Sequence, residues 1–221
     1  AGKGTRFSYL SHVLPKALLP LYNRPIIHHV IDHMTEVGIK EIYIIVNFGK
    51  ERIKEYCTHI PLPKGTIIHF VEQKKLEGLA SAILLTEKYI IDKPFLVILG
   101  DDCTISNSFS PMVQTFLRSD TLAIEAVVKE KDKKILHQTN SVTIGKNNQI
   151  LEIIEKPKLP QSFFRGCGIY IFRSEIFSYI KRTPVSSIRN EREITHTLQL
   201  LTKNKRVHYF LIKGLNININ N

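Results

Sequence analysis

The stretch RPIIHHVIDHMTEVGIKEIYIIV, residues 24–46, decides the fold class. Its first part places apolar residues at 26, 27, 30, 31, 34 and 37, the 3.6-residue stripe of an amphipathic helix, and Gly38 ends it. EIYIIV (41–46) then runs apolar without alternation, as a strand covered on both faces does. The same alternation continues along the chain. KERIKEYC (50–57) reads as a helix and TIIHFVEQ (66–73) as a strand. GLASAILLTEKYI (78–90) is helical again, and PFLVILGD (94–101) is the most strand-like run of all. A helix near 110–118 precedes TLAIEAVVKE (121–130), and the shorter segments NSVTIG, QILEIIEKP and GCGIYIF follow. Strands and helices in this order predict right-handed crossovers and an α/β architecture, a mainly parallel mixed sheet with helices on both faces in three layers. The strands after 121 are expected as antiparallel additions at one side.

The 221 residues read as a single domain, 1–221, without internal repeats or long linkers. Each end reads as cut, because a glycine-rich phosphate loop ordinarily follows a strand. Cys57, Cys103 and Cys167 are odd in number and lack a CxxC pair, which suits free thiols in a reducing compartment. No apolar run approaches the roughly 20 residues that span a bilayer, so the expectation is a cytoplasmic protein without a membrane partner. The formal charge of +11 is dispersed, apart from KEKDKK (129–134) and KNKR (203–206). Without zinc-ligand spacing, a basic zipper or an RNA-binding aromatic signature, it favours anionic small substrates over nucleic acid. His28, His29 and His33 share one helix, but HExxH is missing and the helix already has its apolar stripe, so they are not read as metal ligands.

Four local features could support chemistry, and each has a plainer reading. In AGKGTRF (1–7), Gly2 and Gly4 free the backbone for close approach, and Thr5 and Arg6 add a hydroxyl and a guanidinium. With Lys16 they suit a polyphosphate, although a surface turn would look the same. Gln73 offers donor and acceptor for a base edge, and Gly78 opens a helix that a ligand can approach; a simple strand–helix connection competes. Asp101 and Asp102 end an apolar strand, where open α/β sheets bind ligands and where carboxylates suit Mg²⁺; a turn or cap is the alternative. Glu155 and Lys156 could serve sugar hydroxyls and phosphate, or form a solvated pair.

In their order, these motifs resemble the sugar-1-phosphate nucleotidyltransferases, over essentially the whole length. GKGTR (2–6) is followed by PKALLP (15–20), NRPII (23–27), EQKKLEGLASA (72–82), LGDD (99–102), EKPK (155–158), GCGIYIF (166–172) and EREIT (191–195). The resemblance implies a Rossmann-like nucleotidyltransferase domain, three-layer α/β/α. It further implies Mg²⁺-dependent condensation of an NTP, UTP or dTTP, with a sugar 1-phosphate, glucose 1-phosphate first, by in-line attack on the α-phosphate. It implies that Gly2, Gly4, Thr5 and Arg6 hold the triphosphate and that Lys16 bridges phosphates. Gln73 and Gly78 would read the base, and Asp101 would hold the metal. Glu155, Lys156, Gly168 and Asn140 would bind the sugar phosphate, and Asn218 would be the second metal position. Departures fall at Tyr9, Thr139-Asn140, Phe163 and His196, and at Asn216-Ile217-Asn218, where the family has a W-x-D metal segment. Asn218 supplies a neutral oxygen, a weaker ligand for a hard dication than a carboxylate. Two alternatives stay open: a cytidylyltransferase acting on another phosphorylated small molecule, and a catalytically weak nucleotide-binding regulatory homologue. A homo-oligomer is also left open.

Overall fold

A computed structural model describes residues 14–105, 108–186 and 190–218. Short strands β1 (Pro20–Leu21) and β2 (Arg24–Pro25) lead into helix α1 (Ile26–Glu36). The helix buries Ile26, Ile27, Val30 and Ile31, the predicted stripe. Gly38 N–H donates to Thr35 O at 3.0 Å and Ile39 N–H to Met34 O at 3.1 Å, the paired bonds of a Schellman stop. Strand β3 (Glu41–Val46), helix α2 (Lys50–Thr58) and strand β4 (Ile67–Glu72) form a crossover unit, with β3 and β4 parallel and Tyr43 opposite His69.

Helix α3 (Leu79–Leu84) is shorter than its sequence pattern. Thr86 Oγ1 donates to Ile83 O at 2.7 Å and its N–H to the same carbonyl at 3.0 Å, so the turn tightens and the α-helical ladder stops. Strands β5 (Phe95–Ile98) and β6 (Asp102–Ile105), helix α4 (Ser110–Leu117), strand β7 (Ala123–Lys129) and helix α5 (Lys133–Gln138) follow. Next come the hairpin β8 (Asn140–Ile144) and β9 (Ile150–Glu155), strand β10 (Phe164–Phe172), helices α6 (Ile176–Arg182) and α7 (Ile194–Thr202), and strands β11 (Val207–Leu211) and β12 (Leu215–Asn218).

The main sheet has the order β11-β7-β10-β5. β11 is parallel to β7, and β10 is antiparallel to both β7 and β5, so three of the four strands share one direction. One expectation changes here. β10 is not an addition at the side but stands between β5 and β7, its Ile169, Tyr170, Ile171 and Phe172 buried on both faces. The antiparallel additions proper are β8 with β9 and β12 with β6.

Alternate residues of β7 and β10 feed two cores, which makes the three layers. Ala123, Val127, Tyr170 and Phe172 pack with α3, α6, α7 and the β8–β9 hairpin. Ile124, Ala126, Ile169 and Ile171 pack with Phe109, Met112 and Phe116 around α4. A third cluster joins α1, β3 and α2. Between β3 and β5 lies a cleft of about 400 Å³, lined mostly by apolar side chains of both strands, with Lys16, Asn47 and Asp101 also on its wall. Among the described residues no helix is long and apolar enough to cross a membrane.

Candidate active site

Gly2, Gly4, Thr5 and Arg6 lie outside the described residues. Lys16 opens a 3-10 turn, Lys16–Leu18, fixed by Leu18 N–H to Pro15 O at 2.8 Å and Leu19 N–H to Lys16 O at 3.0 Å. This turn sits beside the end of β5, since a Cβ on Gly100 would stand 3.6 Å from Ala17 Cβ. Lys16 and Asp101, far apart in sequence, therefore line the same cleft. Asp101 occupies the turn between β5 and β6 and is half-buried; Asp102 is buried.

Gln73, just after β4, is only 5% exposed. Its Nε2 donates to Gly78 O at 3.2 Å, and Asn47 Nδ2 donates to Gln73 O at 2.7 Å. The structure brings Gln73 and Gly78 together, and it gives the glycine a reason that differs from ligand access. Gly78 has φ +93°, and a Cβ there would stand 2.5 Å from Arg192 O and 2.8 Å from Arg192 N. The Arg192 backbone is locked in that place, donating to Glu77 O at 2.7 Å and accepting from Ala80 N–H at 3.0 Å. The EREIT segment thus closes over the start of α3. Arg192 lies within EREIT but its part here is played by its backbone, and Asn47 belongs to no local pattern, so the sequence alone points to neither.

A third group forms around β8, β9 and β10. Asn140 stands opposite Glu155 across the hairpin, and Lys156 N–H donates to Thr139 O at 2.7 Å. Lys156 has φ +46°, a left-handed conformation uncommon outside glycine, in which its N–H makes that bond. Asn140 is 7% exposed and its Oδ1 accepts from Gly166 N–H at 2.7 Å, so this amide oxygen is engaged within the protein. Between Gly166 and Tyr170 the β10–β7 register shifts, and Gly168 bulges out with φ +66°. A Cβ there would be 2.8 Å from Leu99 Cδ1 and 3.1 Å from Asp102 Oδ2, so the bulge presses directly on the turn that holds Asp101. Leu99 N–H donates to Gly168 O at 2.9 Å.

Glu125 was missed by the sequence reading. It sits in the middle of β7, fully buried, with neither carboxyl oxygen hydrogen-bonded among the described residues. Burial first, and then the charge of Glu155, push its pKa up to about 8. The nearby Tyr170 hydroxyl offsets a little of this, although its geometry falls short of a hydrogen bond. The histidines of α1 each have a partner of their own: His28 Nδ1 with Tyr56 Oη at 2.9 Å, His29 Nε2 with Leu21 O at 3.1 Å, and His33 Nε2 with Thr104 O at 2.9 Å.

A family model described as Nucleotidyl transferase matches residues 1–216. The chain belongs to the nucleotidyl transferase family. As such it is 33% identical over 218 residues to the bifunctional protein GlmU of Methanocaldococcus jannaschii, a match covering 99% of this chain and 48% of the relative. It is 30% identical over 206 residues to the UTP–glucose-1-phosphate uridylyltransferase AglF of Haloferax volcanii, covering 93% of this chain and 82% of the relative. This nucleotidyl transferase chain thus spans about half the length of one curated relative and most of the other. A solved UDP-glucose pyrophosphorylase complexed with UDP-glucose superposes with a TM-score of 0.88 at 26% identity, covering 100% of this chain and 90% of that one.

The donors at the strand ends suit a hard divalent cation, which takes one or two carboxylates and completes its shell with water and phosphate oxygens. Asp101 supplies a carboxylate in the turn after β5, and Asp102 lies beside it. Asn218, expected at the second metal position, pairs in register with Asp102 across β12 and β6.

Proposed function

We propose that this chain condenses an NTP, UTP or dTTP, with a sugar 1-phosphate, glucose 1-phosphate first, to give an NDP-sugar and pyrophosphate. The observation that supports this best is the meeting of the Lys16 turn, Asp101 and the Gly168 bulge of β10 at the end of β5. Gln73 with Gly78 at the start of α3, and Glu155 with Lys156 at the end of β9, are the further groups.

In this reading a phosphate oxygen of the sugar 1-phosphate forms the new bond to the α-phosphorus. The bond from that phosphorus to the β-phosphate bridging oxygen breaks, and pyrophosphate leaves with the electron pair. No protein nucleophile is needed, so the chain's work is alignment and charge neutralisation. Lys16, with Arg6, meets the triphosphate charge. Glu155 accepts from sugar hydroxyls, and Lys156 holds the sugar phosphate. Gln73 and Gly78 take the base, with Asn140 supporting the sugar side through Gly166. Asp101, with Asn218 as the weaker second position, would hold Mg²⁺, whose contribution is to neutralise charge on the phosphate oxygens.

Pyrophosphate release from a panel of NTPs and sugar 1-phosphates with Mg²⁺ tests the proposal. The expected result is turnover with UTP or dTTP and glucose 1-phosphate, lost in Asp101→Asn. Nucleotide binding without turnover of any pair would overturn it in favour of a binding homologue.

A further inference from the structure

Asn216 stands between two buried charges. Its Oδ1 accepts from Arg165 Nη1 at 2.6 Å, while its Nδ2 donates to Asp102 Oδ1 at 2.6 Å and to Thr104 Oγ1 at 2.8 Å. Its backbone oxygen accepts from Arg165 Nη2 at 3.2 Å. Arg165 and Asp102 are each 4% exposed, so both charges need partners inside the protein. Arg165 is further met by Glu130 Oε2 at 3.4 Å and by Gly166 O at 3.4 Å.

Only a carboxamide can occupy this place. Its oxygen faces a cation and its nitrogen an anion, so the amide dipole lies along the field between them and each charge-assisted bond strengthens the other. An aspartate would put a second anion against Asp102, and an apolar residue would leave both charges short of a partner. The amide also fixes a register. Asn216 lies opposite Thr104 on the β12–β6 ladder, which sets Asn218 opposite Asp102. Through Arg165 the same side chain reaches the strand whose bulge places Gly168 against Asp102.

We infer that Asn216 is a positioning residue that holds the Asp101-Asp102 turn in its cation-binding form and couples it to the β10 bulge on the sugar side. The inference rests on the proposed placement of a divalent cation at Asp101. It also accounts for the departure at this position: the side chain that stands where the family has tryptophan is an internal bridge, not a ligand.

Mn²⁺ is the probe, with bound ion counted by electron paramagnetic resonance and no turnover required. Asn216→Ala and Asn216→Asp are expected to weaken Mn²⁺ binding by roughly 10- to 100-fold, the usual effect of removing a group that orients a metal ligand. UTP binding in EDTA should stay within about two-fold of wild type. Thr104→Val removes a neighbouring bond of the same amide without touching Asp102, and should leave Mn²⁺ affinity within two-fold. Should Asn216→Ala fail to fold, Asn216→Asp gives the same reading. Wild-type Mn²⁺ affinity in a folded Asn216 variant overturns the inference. Absence of Mn²⁺ binding by the wild-type chain, or its persistence in Asp101→Asn, overturns the cation assignment beneath it instead.

Discussion

The Glu125 carboxyl occupies the space that a side chain at position 166 would need: a Cβ built on Gly166 overlaps Glu125 Oε1 and stands 3.0 Å from Asn140 Nδ2. Gly166 is therefore small because a buried acid from the next strand leans over it. Its backbone lies outside the left-handed region, so the constraint is space alone.

Gly166→Ala should accordingly cost about 1–3 kcal/mol, the usual penalty for overfilling a packed interior. In a Glu125→Ala background the same change should cost clearly less, because the opposing carboxyl is gone. Urea unfolding of the four proteins gives the coupling. Equal costs in both backgrounds would separate the two residues.

Stability should depend on pH through Glu125. Its folded pKa of about 8 is above the ordinary carboxylate value of 4.5, so between those limits the folded chain holds a proton that the unfolded chain has released. Stability then falls as pH rises through that window, by at most about 1.4 kcal/mol per pH unit from this one group. Glu125→Gln removes the contribution. Its stability relative to wild type should therefore rise from pH 5 to pH 8. A difference that stays constant over that range would refute the assignment.

Gly78→Ala should be the most damaging single-methyl addition near the site, at about 3 kcal/mol or more, since it combines a disfavoured φ with a backbone collision. Arg192→Ala leaves the colliding backbone in place and loses chiefly the Nε bond to Thr183 O at 3.0 Å, so its cost should be nearer 1 kcal/mol. Reversal of that order in thermal or urea unfolding would contradict the close approach seen here.

Cys57 and Cys167 are 4% and 0% exposed, and burial pushes the Cys57 thiol up to about 11 and the Cys167 thiol well above its usual value. In a Cys103→Ser background, neither should react with a chromogenic disulfide at pH 8 until denaturant is added. Prompt reaction of one thiol in the native state would show that its cluster opens.

What the sequence made legible was local. Helix α1 follows from its apolar spacing and glycine stop, and β3, β4 and β5 follow from unbroken apolar runs. The candidate site residues follow from motif order; Lys16 and Asp101 line one cleft, and Gln73 and Gly78 meet each other at the start of α3. The rest depends on long-range pairing. Asn216 acquires its role only by meeting Arg165 and Asp102, 51 and 114 residues away. Glu125 interrupts an otherwise apolar strand, a pattern that ordinarily marks solvent exposure, and only the hairpin packed above it reveals a buried acid. The early end of α3 turns on one threonine hydroxyl competing for a backbone carbonyl.

The central place of β10 has a consequence for how the molecule comes into being. β5 emerges about 70 residues before the strand that pairs with it, and the turn bearing Asp101 stays without its Gly168 buttress over that interval. Pairing at such separation pays its loop-closure entropy before any contact repays it, which makes this ladder a slow step in folding. On the ribosome, then, the Asp101-Asp102 turn and the β10 bulge are joined late and together. A nascent chain released before β10 has the Asp101-Asp102 turn but not the bulge that presses on it, so synthesis must pass this strand before the turn has its full surroundings.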